Sequence, residues 1–197
     1  MSKSTSALLW VVAFILMAAL AYYQRITGPT YPVSGKVKIS GQEIEYHLPR
    51  SADIGKTKFI QIHVPDENII GYIKFKRYKS NDEWIIRQME RDRSLISASL
   101  PTQPRAGKII YEVYLINLNG DNAKLTENPV VLRFKGSVPL YILLPHIVCM
   151  FLAMAFGMRA GLGSLYKNDT HLYSISLWTL ILFAIGGILL GPIVQYN

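Results

Sequence analysis

Side chains able to do chemistry are sparse in this sequence, and the most regular set of them lies inside an apolar run. His146, Met150, Met154 and Met158 recur at every fourth position, with Cys149 beside them. On a helix that spacing lays them along one face. Sulfur ligands with an imidazole suit Cu(I), and an ionisable group within a membrane span is a functional candidate by default. The competing role is structural: a neutral His146 hydrogen-bonds a neighbouring helix while the methionines fill irregular gaps. Depth separates the two. Met158 would lie about 18 Å below His146 at the rise of an α-helix, so one ion cannot use both ends. His171, near the start of the next apolar run, falls at the inner side and cannot share one haem with His146 within a monomer. No residue is therefore assigned a catalytic, cofactor-binding or metal-binding role. His146 is kept as the alternative site, that of a redox or metal-handling subunit of a membrane complex.

The remaining polar residues assemble no reaction. There is no Gly-rich phosphate loop, no Cys or His pair at metal spacing and no serine in a nucleophile elbow. Glu43 with Glu45, and Asp82 with Glu83, fall at turns or on exposed strand faces, where nothing local pushes their pKa values apart. Tyr72, Lys74, Lys76 and Tyr78 interleave aromatic and basic side chains on one strand face. Lysines there discourage edge pairing, and the less common role is a partner or glycan surface to which tyrosine supplies contact area. The expectation is a protein that is not an enzyme and holds no cofactor.

The elements that would position these residues begin with three runs free of Lys, Arg, Asp and Glu: Ala7–Tyr23, Val138–Met158 and Ser174–Val194. About 20 apolar residues in a helix cross a hydrocarbon core. The second and third runs reach that length and the first is marginal. The expected organisation is an N-terminal transmembrane anchor over 1–23, an exported domain over 24–137 and a C-terminal transmembrane hairpin over 138–197. Ala19-Leu20-Ala21 fits a signal-peptidase site, but the apolar run continues into Tyr22 and Tyr23, an interfacial pair, which favours a retained anchor. Short loops set orientation by their Lys and Arg. Arg159 and Lys167 put the 159–170 loop and the N-terminus in the cytoplasm, with 24–137 outside, and a cysteine-free domain there is compatible with a bacterial periplasm. Asn168-Asp169-Thr170, a glycosylation acceptor by pattern, is then on the wrong side. Ala153, Gly157 and Gly161, like Gly187 and Gly191, offer small faces for close helix packing, within a hairpin or against a partner or second copy. Pro139, Pro145 and Pro192 should bend or end their segments unless neighbours satisfy the freed carbonyls.

The chain carries 21 Lys and Arg against 13 Asp and Glu, a net charge of +8. The excess lies mostly in the 24–137 block, where basic residues alternate along strands rather than forming a stripe, so nucleic acid is not an expected partner. Nearby anionic lipid is the simpler explanation. Within the block, short period-two segments follow one another. Val37 and Ile39 lead through Ser40-Gly41-Gln42 to Ile44, Tyr46 and Leu48. Ile60, Ile62 and Val64 come next, then Ile73 and Phe75, then a strand beginning near Trp84. Ile96, Ala98 and Leu100, Ile109 to Leu115, and Val130 to Phe134 complete seven or eight strands. That pattern predicts an all-β immunoglobulin-like sandwich. Trp84 is expected in its core, and Tyr111 or Tyr114 as a tyrosine-corner residue. The single cysteine, Cys149, excludes a disulfide framework in this domain.

The chain resembles an uncharacterised family of bacterial integral membrane proteins. The resemblance is carried by Thr27-Gly28-Pro29-Thr30-Tyr31-Pro32, Ser80-Asn81-Asp82-Glu83-Trp84, Pro101-Thr102-Gln103-Pro104-Arg105-Ala106-Gly107-Lys108, and Arg133-Phe134-Lys135-Gly136 running into Pro145-His146. It implies an N-terminal anchor, an immunoglobulin- or fibronectin-III-like exported domain and a helical C-terminal part. It implies no reaction. Members of that family continue past the third helix, so the resemblance also implies that this is a shortened form.

Overall fold

The computed structural model describes residues 2–166 and 169–196. Lys167 and Asn168, and with them the acceptor position of the glycosylation pattern, lie outside the described residues. The chain forms two compact units, one from Gly28–Ser137 and one from Met1–Thr27 with Val138–Asn197.

The 28–137 unit is built of strands. β1 (Val33–Ile39) and β2 (Gln42–Leu48) form a hairpin. Its two loop residues, Ser40 and Gly41, have φ of 50° and 77°, the positive pair that a type I′ turn requires. β3 (Ser51–Asp53), β4 (Lys58–His63), β5 (Ile69–Arg77), β6 (Ile85–Gln88), β7 (Glu90–Asp92) and β8 (Leu95–Leu100) follow. β9 (Lys108–Asn117), β10 (Asn122–Lys124) and β11 (Val130–Lys135) complete the unit. One sheet runs in the order β3-β11-β9-β5-β6, with β10 also on β9, and another in the order β4-β8-β7. Every pairing is antiparallel except β3 with β11, which is parallel.

Alternation along the strands fixes which side chains go inward. Ile60 and Ile62, Ile73 and Phe75, Ile96 and Leu100, Ile109 to Leu115 and Val130 to Phe134 join Ile44 and Leu48 in one apolar cluster drawn from all three sheets. Each such side chain, fully buried, stabilises by roughly 1.5–3 kcal/mol. Gly71 marks the closest approach inside it. A Cβ there would lie 2.6 Å from Ile96 Cδ1 and 2.8 Å from Met89 Sδ.

Two aromatic expectations need correction. Trp84 is not a core residue: it sits half-exposed just before edge strand β6, with Lys74 Nζ 4.7 Å and Lys76 Nζ 5.4 Å from its ring. Those lysines alternate with buried Ile73 and Phe75 along β5, so the indole stacks on the outward face of the sheet rather than the core face. Tyr111 is fully buried, and its hydroxyl donates to Pro49 O at 2.8 Å. That bond ties β9 to the β2–β3 turn, 62 residues upstream, whereas a tyrosine corner closes on backbone a few residues away.

The second unit is helical. α1 (Lys3–Thr27) runs past the end of its apolar stretch and stops before Gly28-Pro29, a helix-ending pair. α2 (Leu140–Gly163) contains Pro145 without interruption. α3 (Leu172–Phe183) passes through a π-helical segment, Ala184–Leu190, into α4 (Gly191–Tyr196), so Leu172–Tyr196 is one continuous span that includes Pro192. The wider π turns directly precede Pro192, at the place where a missing N–H disturbs an α-helical ladder. Lys3–Thr27, Leu140–Gly163 and Leu172–Tyr196 are each long and apolar enough to cross a membrane. Their apolar side chains, among them Leu8, Tyr141, Leu180 and Ile188, face mainly outward, as a lipid-facing surface requires.

Candidate functional site: a buried polar centre in the helical unit

The strongest convergence of polar groups in the helical unit lies where three helix ends meet. Arg159, on the last turns of α2, is fully buried, and the side chain of Asp169, just before α3, is 1% exposed. Arg159 Nη1 donates to Asp169 Oδ2 at 2.9 Å. Arg159 Nη2 reaches Ser6 Oγ of α1 at 3.3 Å. The other carboxylate oxygen, Oδ1, accepts from the His171 N–H at 3.1 Å and so helps start α3. The guanidinium carbon lies 5.9 Å from the Trp10 ring, and Trp10 meets Phe156 edge-on at 4.8 Å. Among the described residues, Arg159 Nε is buried with no hydrogen-bond partner.

Neither charge could be withdrawn from water alone, because an isolated buried ion costs several kcal/mol and pairing repays this only with good geometry. Here the geometry depends on Gly163. A Cβ at that position would stand 2.6 Å from both Arg159 Nη1 and Asp169 Oδ2. Burial pushes the Asp169 carboxyl up, but hydrogen bonds from Arg159 and the His171 N–H outweigh it and hold the group below the usual carboxylate range. The pair is thus ionised and mutually engaged, an arrangement suited to fixing helices rather than to moving protons. Beside it, Ser6, Trp10, His171, Ser174, Ile175 and Trp178 line an open cavity of about 330 Å³.

Sequence reasoning used Arg159 only as an orienting charge and Asp169 only as part of a glycosylation pattern. The signal that would have joined them is simple: Asp169 is the one carboxylate residue outside the 24–137 block, ten positions from Arg159. The centre also brings the start of α1 beside the end of α2 and the start of α3. Thr27 and Leu140, the residues that lead to the β-rich unit, are therefore both at the opposite end of the helical unit.

His146 sits elsewhere. Its Nδ1 is 2.8 Å from Gly186 O in the π-helical segment. A carbonyl can only accept, so Nδ1 donates here, and the tautomer with its proton on Nδ1 leaves Nε2 a lone pair. Met150 packs at the same glycine, since a Cβ on Gly186 would be 2.8 Å from Cys149 Cβ and 3.2 Å from Met150 Sδ. The glycine of this helix that packs closely on α2 is thus Gly186, whereas the atoms nearest a Cβ on Gly187 belong to Phe183 of its own helix. Gly157 faces Thr179, with 3.4 Å to its Cγ2, while a Cβ on Gly161 would meet nothing within 4 Å among the described residues. Among the described residues, no group of three or more His, Cys, Asp and Glu could hold a metal ion.

In the β-rich unit three of the carboxylates singled out above, Glu43, Glu45 and Asp82, are taken by cations. Lys36 Nζ bridges Glu43 and Glu45 at 2.8 and 2.9 Å, and Arg77 grips Asp82 through two bonds of 2.6 and 2.7 Å. Buried Glu112 receives Lys124 Nζ at 2.7 Å and the Tyr114 hydroxyl at 2.8 Å. Tyr72, Lys74 and Lys76 lie together, half-buried, on the outward face of β5. No protein-family model matches this chain, and no curated protein matches it.

Proposed function

We propose that this is a non-enzymatic anchor and interaction protein of the bacterial cytoplasmic membrane, displaying an immunoglobulin-like β-sandwich on the periplasmic side. The observation that carries the reading is the bracketing of one strand-built unit, 28–137, by helices that are long and apolar enough to cross a bilayer. The sandwich is supported by strand order: β4-β8-β7 against β5-β9-β11, with one core drawn from both. The resemblance to the bacterial membrane-protein family agrees with this layout.

The start of α1 and the end of α2 share one end of the helical unit, so both fall on one side of the membrane and loop charge chooses which. Arg159 is neutralised by Asp169, so Lys3 and Lys167 carry the positive-inside signal. Docking into an assembly through helix faces is supported by the open side of Gly161. Protease added to intact spheroplasts should cut within 28–137. Survival there, with cleavage only after lysis, would reverse the orientation. Capture of the full chain in mild detergent should recover specific membrane partners or a second copy, and a lone monodisperse chain would defeat the docking role.

A second reading, a redox or metal-handling subunit, rests on the His146 tautomer. A ring whose Nδ1–H is held by a carbonyl presents Nε2 as metal-binding imidazoles do. Stoichiometric copper or a Soret band, lost in His146→Ala, would put this reading first.

A further inference from the structure

We infer that the end of the β-rich unit from which the chain leaves for α2 is a docking surface for anionic lipid headgroups. This rests on the reading that the apolar helices cross a bilayer. Register defines that end. Lys135, the last residue of β11, lies opposite Asp53, and Arg133 opposite Lys108. Arg77 of β5 faces Ile109, and Lys58 of β4 faces Leu100. The turns 54–57 and 78–84 and the loop 101–107 therefore all project from the same end as the exit of β11.

The charge there is one-sided. Lys56, Lys79, Arg105, Lys108, Arg133 and Lys135 are exposed. Of the nearby carboxylates, Asp82 is held by Arg77, and Asp53 lies 3.8 Å from Lys135, which leaves Glu83. The opposite end is not basic in excess. There Glu67, Asp92 and Asp121 are exposed against Lys38 and Arg93, while the Arg91 guanidinium is used up on the carbonyls of Val64, Asp66, Ile69 and Arg93.

Aromatic and apolar groups join the cations at the exit end. Trp84 is half-buried under Lys74 and Lys76, Tyr78 lies 5.5 Å from Lys108 Nζ, and Phe59 and Ile85 are more than half exposed. Indole and phenol rings beside lysines are the composition of a membrane–water interface. Position selects lipid over an acidic protein as the occupant. Only residues 136–139 separate β11 from α2, a reach of at most about 14 Å, so headgroups around that helix are within range of the cations. Attraction to a charged leaflet acts over about one Debye length, ~8 Å at physiological salt.

The test is hydrogen exchange on the full chain in nanodiscs of phosphatidylcholine alone or mixed with phosphatidylglycerol. Exchange in 54–57, 78–84 and 101–107 should slow severalfold in the anionic discs, while 65–68 and 118–121 stay unchanged. High salt should abolish the slowing, and so should the Lys56→Glu/Arg105→Glu/Lys108→Glu variant, with the exchange of β9 certifying that the variant is folded. Equal rates in both lipids would overturn the inference. So would slowing of the opposite end, or slowing seen only in native membranes, which would mean a protein partner. A chain that failed to enter the discs would instead defeat the membrane-spanning reading itself.

Discussion

Glu112 in the β-rich unit and Asp169 in the helical unit are both carboxylates withdrawn from water, and each is met by a cation at under 3 Å. For both, burial pushes the pKa up and hydrogen bonds more than reverse it. The difference lies with the partner. Lys124 is one-third exposed, whereas Arg159 is fully buried. If its carboxylate is lost, Lys124 can turn its ammonium to solvent; Arg159 has nowhere to go. Access of the remaining ion to water, rather than the length of the bond, sets how much each pair matters.

That contrast can be broken at either end. The largest effect is expected for Asp169→Asn, which strands a buried guanidinium and should cost about 3–5 kcal/mol, read by unfolding of the full chain in mild detergent. The double variant Arg159→Met/Asp169→Asn should be less damaging than Asp169→Asn alone, because it removes the stranded charge. A double as damaging as the single would mean that packing, not charge, holds the helix ends. Glu112→Gln should cost about 1–2 kcal/mol, since Lys124 recovers hydration and Tyr114 keeps an acceptor. A loss as large as that of Asp169→Asn would remove the distinction drawn above.

Acid sharpens the comparison. Both carboxyls are held below their unfolded value of about 4, so their contribution is complete above that value and disappears as pH falls through the lower native one. Stability should therefore be flat from neutral to about pH 5 and fall below about pH 4. In Glu112→Gln the acid loss should be smaller, leaving the part due to Asp169 and to the more exposed Asp82 and Glu45, which their cations also hold low. The least effect belongs to the Lys36 pairs with Glu43 and Glu45, whose side chains are all about half exposed or more. Lys36→Met should leave the melting curve where it was, because solvent screens such pairs.

The strands were legible wherever they were long enough to alternate. Ile60 and Ile62, Ile96 to Leu100 and Ile109 to Leu115 are buried as their period-two pattern predicts. β3, β7 and β10 escaped because three residues cannot display a period. Trp84 was misplaced for a physical reason: an indole covered by lysine stems is shielded without entering the core. In the helices, small residues announced close packing, but not which of two adjacent glycines would meet α2. The π turns that present Gly186 leave no mark on composition. Arg159 and Asp169 were in plain view as types, and only the packing of the end of α2 beside the start of α3 brings them together.

Gly163 has a consequence for how this sequence can drift. A methyl at that position would occupy the space in which the guanidinium and carboxylate meet, so the three positions are not independent. Descendants that replace this glycine should also have lost Arg159 and Asp169, and those that keep both ions should keep the glycine. A relative with alanine at 163 and both charges intact would show that the helix ends can separate and still hold.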